Sequence, residues 1–179
     1  MMKLEGSKTE KNILEAFSGE SQARNKYTFY ASVAKNAGME QIAAIFLETA
    51  ENEKEHAKRL LKFLDVIGDT EKNLKEAAAG ENHEWTEMYR DFEKVAREEG
   101  FDEVADVFHE IGEVEEEHEK RFLALLERVQ SGTVFKREEP INWHCRNCGY
   151  VHHEKVEPPE ECPACAHPRA HFQPQPTNY

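Results

Sequence analysis

Cysteine is scarce and confined. The 179 residues contain four, all between Cys145 and Cys165, so no disulfide can tie the rest of the chain together. The four form two C-x-x-C pairs, and the stretch from Met1 to Asn12 is polar, with no apolar secretion core. That combination favours metal binding over disulfides and a reducing, cytoplasmic setting. Long apolar runs are also missing. No window approaches the roughly 18 consecutive apolar residues of a transmembrane helix, so no membrane partner is expected. Basic residues are outnumbered, 23 Lys and Arg against 36 Asp and Glu, giving a formal charge of -13. Nucleic acid is excluded as a partner because phosphate binding needs basic patches. Metal ions bound to some of the carboxylates and thiolates would offset part of that charge.

What is present suits a soluble helical protein with a small appended module: 33% charged and 39% hydrophobic residues. Four helix-length segments fill the first 132 residues. Ser7 and Glu10 form a capping box for the first. Gly38 separates the first from the second, Gly68 ends the second, Gly100 separates the third from the fourth, and Gly132 ends the fourth. Gly80 falls inside a helical pattern. Thr133 to Trp143 loses helical periodicity, contains Pro140 and reads as a linker. The expected domains are 1–134 and 140–179. The second is rich in Cys, Pro and His and too short to build a core from apolar packing alone, so it needs a metal.

The helical part repeats. Val33, Ala34, Gly38, Ala43 and Phe46 recur 62 residues later as Val95, Ala96, Gly100, Ala105 and Phe108. Glu53, Glu55, His56, Lys58 and Arg59 recur as Glu115, Glu117, His118, Lys120 and Arg121. Ala16 to Glu20 is echoed by Ala77 to Glu81. The pattern is that of a duplicated helical hairpin.

The apolar seams carry carboxylates. The second segment runs Ile42, Ile45 or Phe46, Thr49, Glu53, His56, Leu60, Phe63, Ile67. The fourth runs Val104, Phe108, Ile111, Glu115, His118, Phe122, Leu125, Val129. Steps of three and four mark one helix face. Glu20 lies on the seam of the first segment, and Glu81 and Glu84 on that of the third. Bare carboxylates in a core cost several kcal/mol each, on the order of an unpaired buried ion. Arg24 is the nearest basic residue to offset them. Two metal ions solve the problem directly, because Glu-x-x-His places a carboxylate and an imidazole one turn apart. A single such motif on an acidic helix reads more simply as surface charge; two copies at the repeat offset reverse that reading. Carboxylates with imidazoles suit iron or manganese. Tyr27 and Tyr89 lie on the same faces and either donate hydrogen bonds to ligand glutamates or fill the core. His83 and His109 fall off the seams and are expected in solvent.

Cys145, Cys148, Cys162 and Cys165 form C-x2-C-x13-C-x2-C, a tetrahedral four-thiolate site. Zinc and iron share that geometry, and the knuckles taken alone favour zinc. His144, His152, His153, His167 and His171 are expected at the module surface.

Together these stretches resemble the rubrerythrins over essentially the whole chain: GESQARNKY from Gly19, ETAENEKEHAKR from Glu48, GENHEWTEMY from Gly80, EVEEEHEKRF from Glu113, and the CRNCGY and CPACAHP knuckles. The resemblance implies a mainly α fold, a ferritin-like four-helix bundle with a small C-terminal rubredoxin-like domain. It implies di-iron ligands Glu20, Glu53, His56, Glu81, Glu84, Glu115 and His118, with Glu53 and Glu115 bridging. It implies iron, not zinc, on the four cysteines, and one di-iron position that moves between Glu84 and His56 with redox state. Two features depart from free-standing rubredoxins: a shorter spacer between knuckles, and Ala166 where Gly is common.

The implied activity is peroxidase: hydrogen peroxide reduced to water at the di-iron site, with the four-cysteine iron relaying electrons, in oxidative-stress protection. No nucleotide-binding motif is visible, so a separate reductase or rubredoxin would supply the electrons from NAD(P)H. The alternatives are a ferroxidase that handles iron as ferritins do, and a non-catalytic zinc-ribbon protein. Chain lengths add one expectation. A third helix starting near Thr70 leaves almost no residues for a ferritin-like crossover, which predicts a domain-swapped homodimer.

Overall fold

The computed structural model describes residues 4–178; the domain limits expected at Met1 and Tyr179 lie outside them. The chain divides into two compact units that meet in sequence between Asp69 and Thr70.

The first unit is a helical hairpin of α1 (Lys8–Asn36) and α2 (Glu40–Phe63). Ser7 caps α1, its Oγ accepting the Glu10 N–H at 3.0 Å. The return bond of the expected capping box lands one residue early: Glu10 Oε2 accepts from the Gly6 N–H, not from Ser7. The tip is a Schellman turn. Gly38 sits at φ +74°, Gly38 N–H bonds Lys35 C=O, and Met39 N–H bonds Ala34 C=O. α2 stops at Phe63, not at Gly68 as expected. Asp65 takes the left-handed conformation at φ +53°, and the β-branched Val66 and Ile67 follow outside the helix.

The second unit opens with α3 (Thr70–His83), a π-helical segment (Glu84–Met88) and α4 (Tyr89–Glu98), which pack against α5 (Asp102–Gln130). Its tip repeats the first: Gly100 lies at φ +83° and Phe101 N–H bonds Ala96 C=O at 2.8 Å. The π segment was not expected. Its defining bond runs from Tyr89 N–H to Glu84 C=O, five residues back, and such a turn absorbs one extra residue in a helix. The chain then forms a small antiparallel sheet from β1 (Ile141–Cys145), β2 (Val151–Lys155) and β3 (Phe172–Pro174), in the order β2-β1-β3. Its core is Trp143, Cys145, Cys162 and Phe172, all essentially inaccessible.

The helical cores are built from alanine. Ala31, Ala34, Ala43, Ala50 and Ala57 are buried in the first unit and Ala78, Ala96 and Ala105 in the second. Small side chains let paired helices approach closely. Several large seam residues stay open instead: Ile42 is 46% exposed, Ile45 55%, Phe63 52% and Val104 46%. The seams are therefore not closed as a four-helix core would close them. A two-helix hairpin has one contact face, narrower than the apolar stripe each helix presents.

Candidate metal centres

Each hairpin brings together two carboxylates and one imidazole at its middle. In the first, Glu20 from α1 meets Glu53 and His56 from α2. In the second, Glu81 from α3 meets Glu115 and His118 from α5. Within each trio the ligand atoms lie within 4.8 Å of one another. The two trios have matching geometry. His56 Nδ1 stands 2.9 Å from Glu53 Oε2 and 3.8 Å from Glu20 Oε1. His118 Nδ1 stands 2.6 Å from Glu115 Oε2 and 3.9 Å from Glu81 Oε1. The Glu-x-x-His spacing produces the short contact, one turn apart on one helix face. The cross-helix glutamate supplies the long one.

Electrostatics mark both trios as short of positive charge. Glu20 is held above the ordinary carboxylate range, first by sharing a hydrogen bond with the Glu53 carboxyl and then by burial. Glu81 is raised too, first by burial and then by the charges of Glu115 and Glu84. Arg24 does not answer this need. It lines a groove with Phe17, Ser21 and Lys54 and donates to Asn25 Oδ1. Glu53 and Glu115 are the more enclosed carboxylates of their trios, with side chains 16% and 15% exposed, whereas His56 is 60% exposed. Carboxylates crowded until one resists ionisation, each beside an imidazole, fit a hard or borderline cation.

Glu84 stands outside the Glu81 trio, at the start of the π segment. Its charge nonetheless raises Glu81 and the Tyr89 phenol. Tyr89 is raised first by burial, then by Glu84, Glu115 and Glu81. Tyr27 packs on Tyr30 and Phe46, and Tyr89 on Phe92 and Phe108, in equivalent aromatic triads.

The sequence pattern left several neighbours unread. Glu119, next to His118, accepts from Trp85 Nε1 at 2.6 Å and from Asn82 Nδ2 at 3.0 Å, tying the π segment to α5. Arg90 lies over the Trp85 ring. Gly112 faces this segment, where an added Cβ would touch Tyr89 Cβ at 3.4 Å. A signal was available: GESQARNKY spans nine residues where GENHEWTEMY spans ten. His83 is exposed and 3.3 Å from Glu87. His109 is also exposed, yet it is paired with Glu93 at 3.1 Å and Glu113 at 3.7 Å.

In the small sheet, Cys145 and Cys165 Sγ are 3.9 Å apart and Cys148 and Cys162 Sγ 3.7 Å apart, with no disulfide. All four sulfurs fall in one cluster. Crowding splits their acidities. Cys148 is pushed up to about 12: the Tyr150 N–H bond opposes the rise, but bonds with Cys165 and the other thiols and burial prevail. Cys165 is drawn down to about 6 against the effect of burial, by bonds from Cys148, the His167 backbone and Asn147. Gly149 and Ala166 end the two knuckles at φ +83° and +53°. The histidines are less exposed than expected. His153 alone of the five is exposed; His144, His152, His167 and His171 are half-buried. The His167 and His171 rings pack edge to face at 4.8 Å. With so little apolar material, imidazoles fill out the packing of the module.

No helix among the described residues is long and apolar enough to cross a membrane. The rubrerythrin family model matches residues 11–126, and the model described as "Rubrerythrin, rubredoxin-like domain" matches residues 143–173. The chain is 57% identical to a rubrerythrin of Porphyromonas gingivalis, covering 98% of this chain and 94% of that one. It is 54% identical to a rubrerythrin of Nitratidesulfovibrio vulgaris, over 97% of each. It is 48% identical to Rubrerythrin-1 of Clostridium acetobutylicum, over the full length of both. The carboxylate–histidine trios and the four-cysteine cluster are the donor sets of a di-iron and a rubredoxin-like iron centre. A duplicated carboxylate–imidazole hairpin followed by that cluster, matched end to end by these relatives, makes the chain a member of the rubrerythrin family.

Proposed function

We propose that this protein reduces hydrogen peroxide to water at a di-iron site, protecting its cell against oxidative stress. Glu20, Glu53, His56, Glu81, Glu84, Glu115 and His118 would hold the two irons. Cys145, Cys148, Cys162 and Cys165 hold a third, which relays electrons. The observation that carries this reading is the matched pair of trios, one per hairpin, each with two carboxylates and an imidazole. Iron bound there supplies the two electrons that convert peroxide and two protons into two waters, one from each ion. Glu84 adds a seventh donor beside Glu81. Tyr89, held protonated by burial and by its carboxylate neighbours, keeps a hydrogen-bond donor at their edge.

The domains are 1–134 and 140–179, working in the reducing cytoplasm with a separate reductase or rubredoxin as electron donor. The functional unit is a homodimer in which the first hairpin of one copy closes on the second hairpin of the other. Two observations support this. The large seam residues flanking each trio are open. Residues 64–69, between the end of α2 and the start of α3, reach about 20 Å when extended, whereas α2 is about 36 Å long. A ferritin-like crossover cannot be made in that length.

Stopped-flow mixing tests the activity. The reduced protein is expected to be oxidised by peroxide far faster than by oxygen. Equal or slower reaction with peroxide would overturn the assignment, and iron accumulation well beyond the di-iron site would favour a ferroxidase instead.

A further inference from the structure

We infer that Arg137 is a positioning residue that clamps the four-cysteine sheet onto the end of α5 and so fixes the path along which electrons leave it. The inference rests on the relay reading above. It begins with how α5 ends. Gly132 closes a Schellman turn, with Thr133 N–H on Arg128 C=O at 2.8 Å. A second turn follows, Lys136 N–H bonding Thr133 C=O at 3.1 Å. Chain leaving a helix has carbonyls without helical partners. Arg137 bonds two carbonyls of the segment that follows: its Nη1 donates to Thr133 C=O, which also accepts the Lys136 N–H, at 2.8 Å and to Lys136 C=O at 2.6 Å.

The same residue grips the sheet. The Arg137 backbone N–H bonds Val156 C=O, just past β2, at 2.9 Å. Its guanidinium lies over the Trp143 ring, 5.2 Å from the centroid. Trp143 is fully buried against Cys145 and Cys162, and its indole N–H donates to Lys155 C=O at 2.9 Å. A continuous line of contacts therefore runs from the helix end through Arg137 and Trp143 to two of the iron-binding sulfurs.

Among the described residues the other side-chain contacts at this joint are few and exposed. A cavity of about 590 Å³ opens beside it, lined by Arg128, Lys136, Arg137 and Ile141 among others. The nearby ion pair of Lys136 with Glu157, at 3.5 Å, joins exposed groups and is correspondingly weak. The grip needs a planar fork that bonds carbonyls while stacking on a ring, which arginine has and lysine lacks. Electron transfer falls off steeply with distance, so a module free to swing on residues 131–140 would spend most of its time badly placed.

The test uses full-length protein carrying Arg137→Lys or Arg137→Ala. In zinc-loaded protein, amide relaxation should show the sheet tumbling rigidly with α5 in the wild type and independently in both variants. In iron-loaded, fully reduced protein, peroxide should oxidise the di-iron site at the wild-type rate in all three. Oxidation of the four-cysteine iron, followed by its ferric–thiolate absorption, should slow on the order of tenfold in the variants. A variant that keeps both rigid tumbling and wild-type relay overturns the clamp. A wild type whose four-cysteine iron is never oxidised by peroxide overturns the relay reading instead, while the relaxation data still decide the clamp. If Arg137→Ala fails to bind metal, Arg137→Lys carries the comparison.

Discussion

Replacing Ala166 with glycine should stabilise the four-cysteine module. The two knuckles end alike: Gly149 N–H bonds Cys145 C=O and Ala166 N–H bonds Cys162 C=O, both at 2.9 Å. Both residues occupy the left-handed region, at φ +83° and +53°, but only one is glycine. An L-residue there loses roughly 1–2 kcal/mol to the clash of Cβ with the backbone. Glycine relieves that but gains freedom in the unfolded chain worth about 0.4–1 kcal/mol. The difference predicts a net gain of about 0.5–1 kcal/mol for Ala166→Gly. Gly149→Ala is the mirror experiment. A Cβ built at Gly149 meets nothing within 4 Å, so no contact clash enters and the same two terms act in reverse, a net loss of about 0.5–1 kcal/mol. The assay is the rate at which the folded module surrenders its metal to a chelator, supported by urea unfolding of the loaded protein, because folding and metal binding are one equilibrium here. A neutral or destabilising Ala166→Gly, or a harmless Gly149→Ala, would refute the strain argument.

Metal-free protein should become more stable as the pH falls from 7 toward about 5. Glu20 and Glu81 have folded values above their ordinary ones, so ionising them opposes folding, and that opposition is relieved as pH drops through the raised values. Below that window the trend reverses, because Glu51, Glu71, Glu93 and Glu117 are held low by their partners and lose those bonds on protonation. Thermal midpoints of the metal-free protein and of Glu20→Gln/Glu81→Gln check this; a wild-type midpoint that only falls on acidification contradicts it. Val33→Glu with Val95→Glu, two exposed valines at matching repeat positions, should convert a dimer to monomer in sedimentation equilibrium and abolish di-iron loading. A wild type that is monomeric yet binds both irons would sink the exchange of hairpins.

Much of this was legible in the residues. The repeat of Glu53 and His56 as Glu115 and His118 announced two equivalent hairpins, because charged residues at matching seam positions have few explanations. Helix ends at Gly38, Gly100 and Gly132 could be read because a Schellman turn needs a left-handed residue. The end of α2 could not: Asp65 tolerates the same conformation and pre-empted Gly68. The seams predicted burial that a single hairpin does not deliver, since periodicity reports which face is apolar and not what covers it. The histidines of the sheet were misread because composition cannot say which imidazoles fill gaps in a core too small for aliphatic packing.

The π segment has a consequence for how this architecture tolerates change. One residue added to an α-helix turns everything on one side of it by about 100°. Here the addition is confined to Glu84–Met88, so Glu81 keeps the station of Glu20 while Tyr89 keeps that of Tyr27. The two halves of an old duplication have thus grown unequal without losing register, and the surplus position is where a spare carboxylate could be lodged. The same length change in α5, between Phe108 and Glu115, would carry Glu115 and His118 away from their partners, unless a second wide turn formed to take it up.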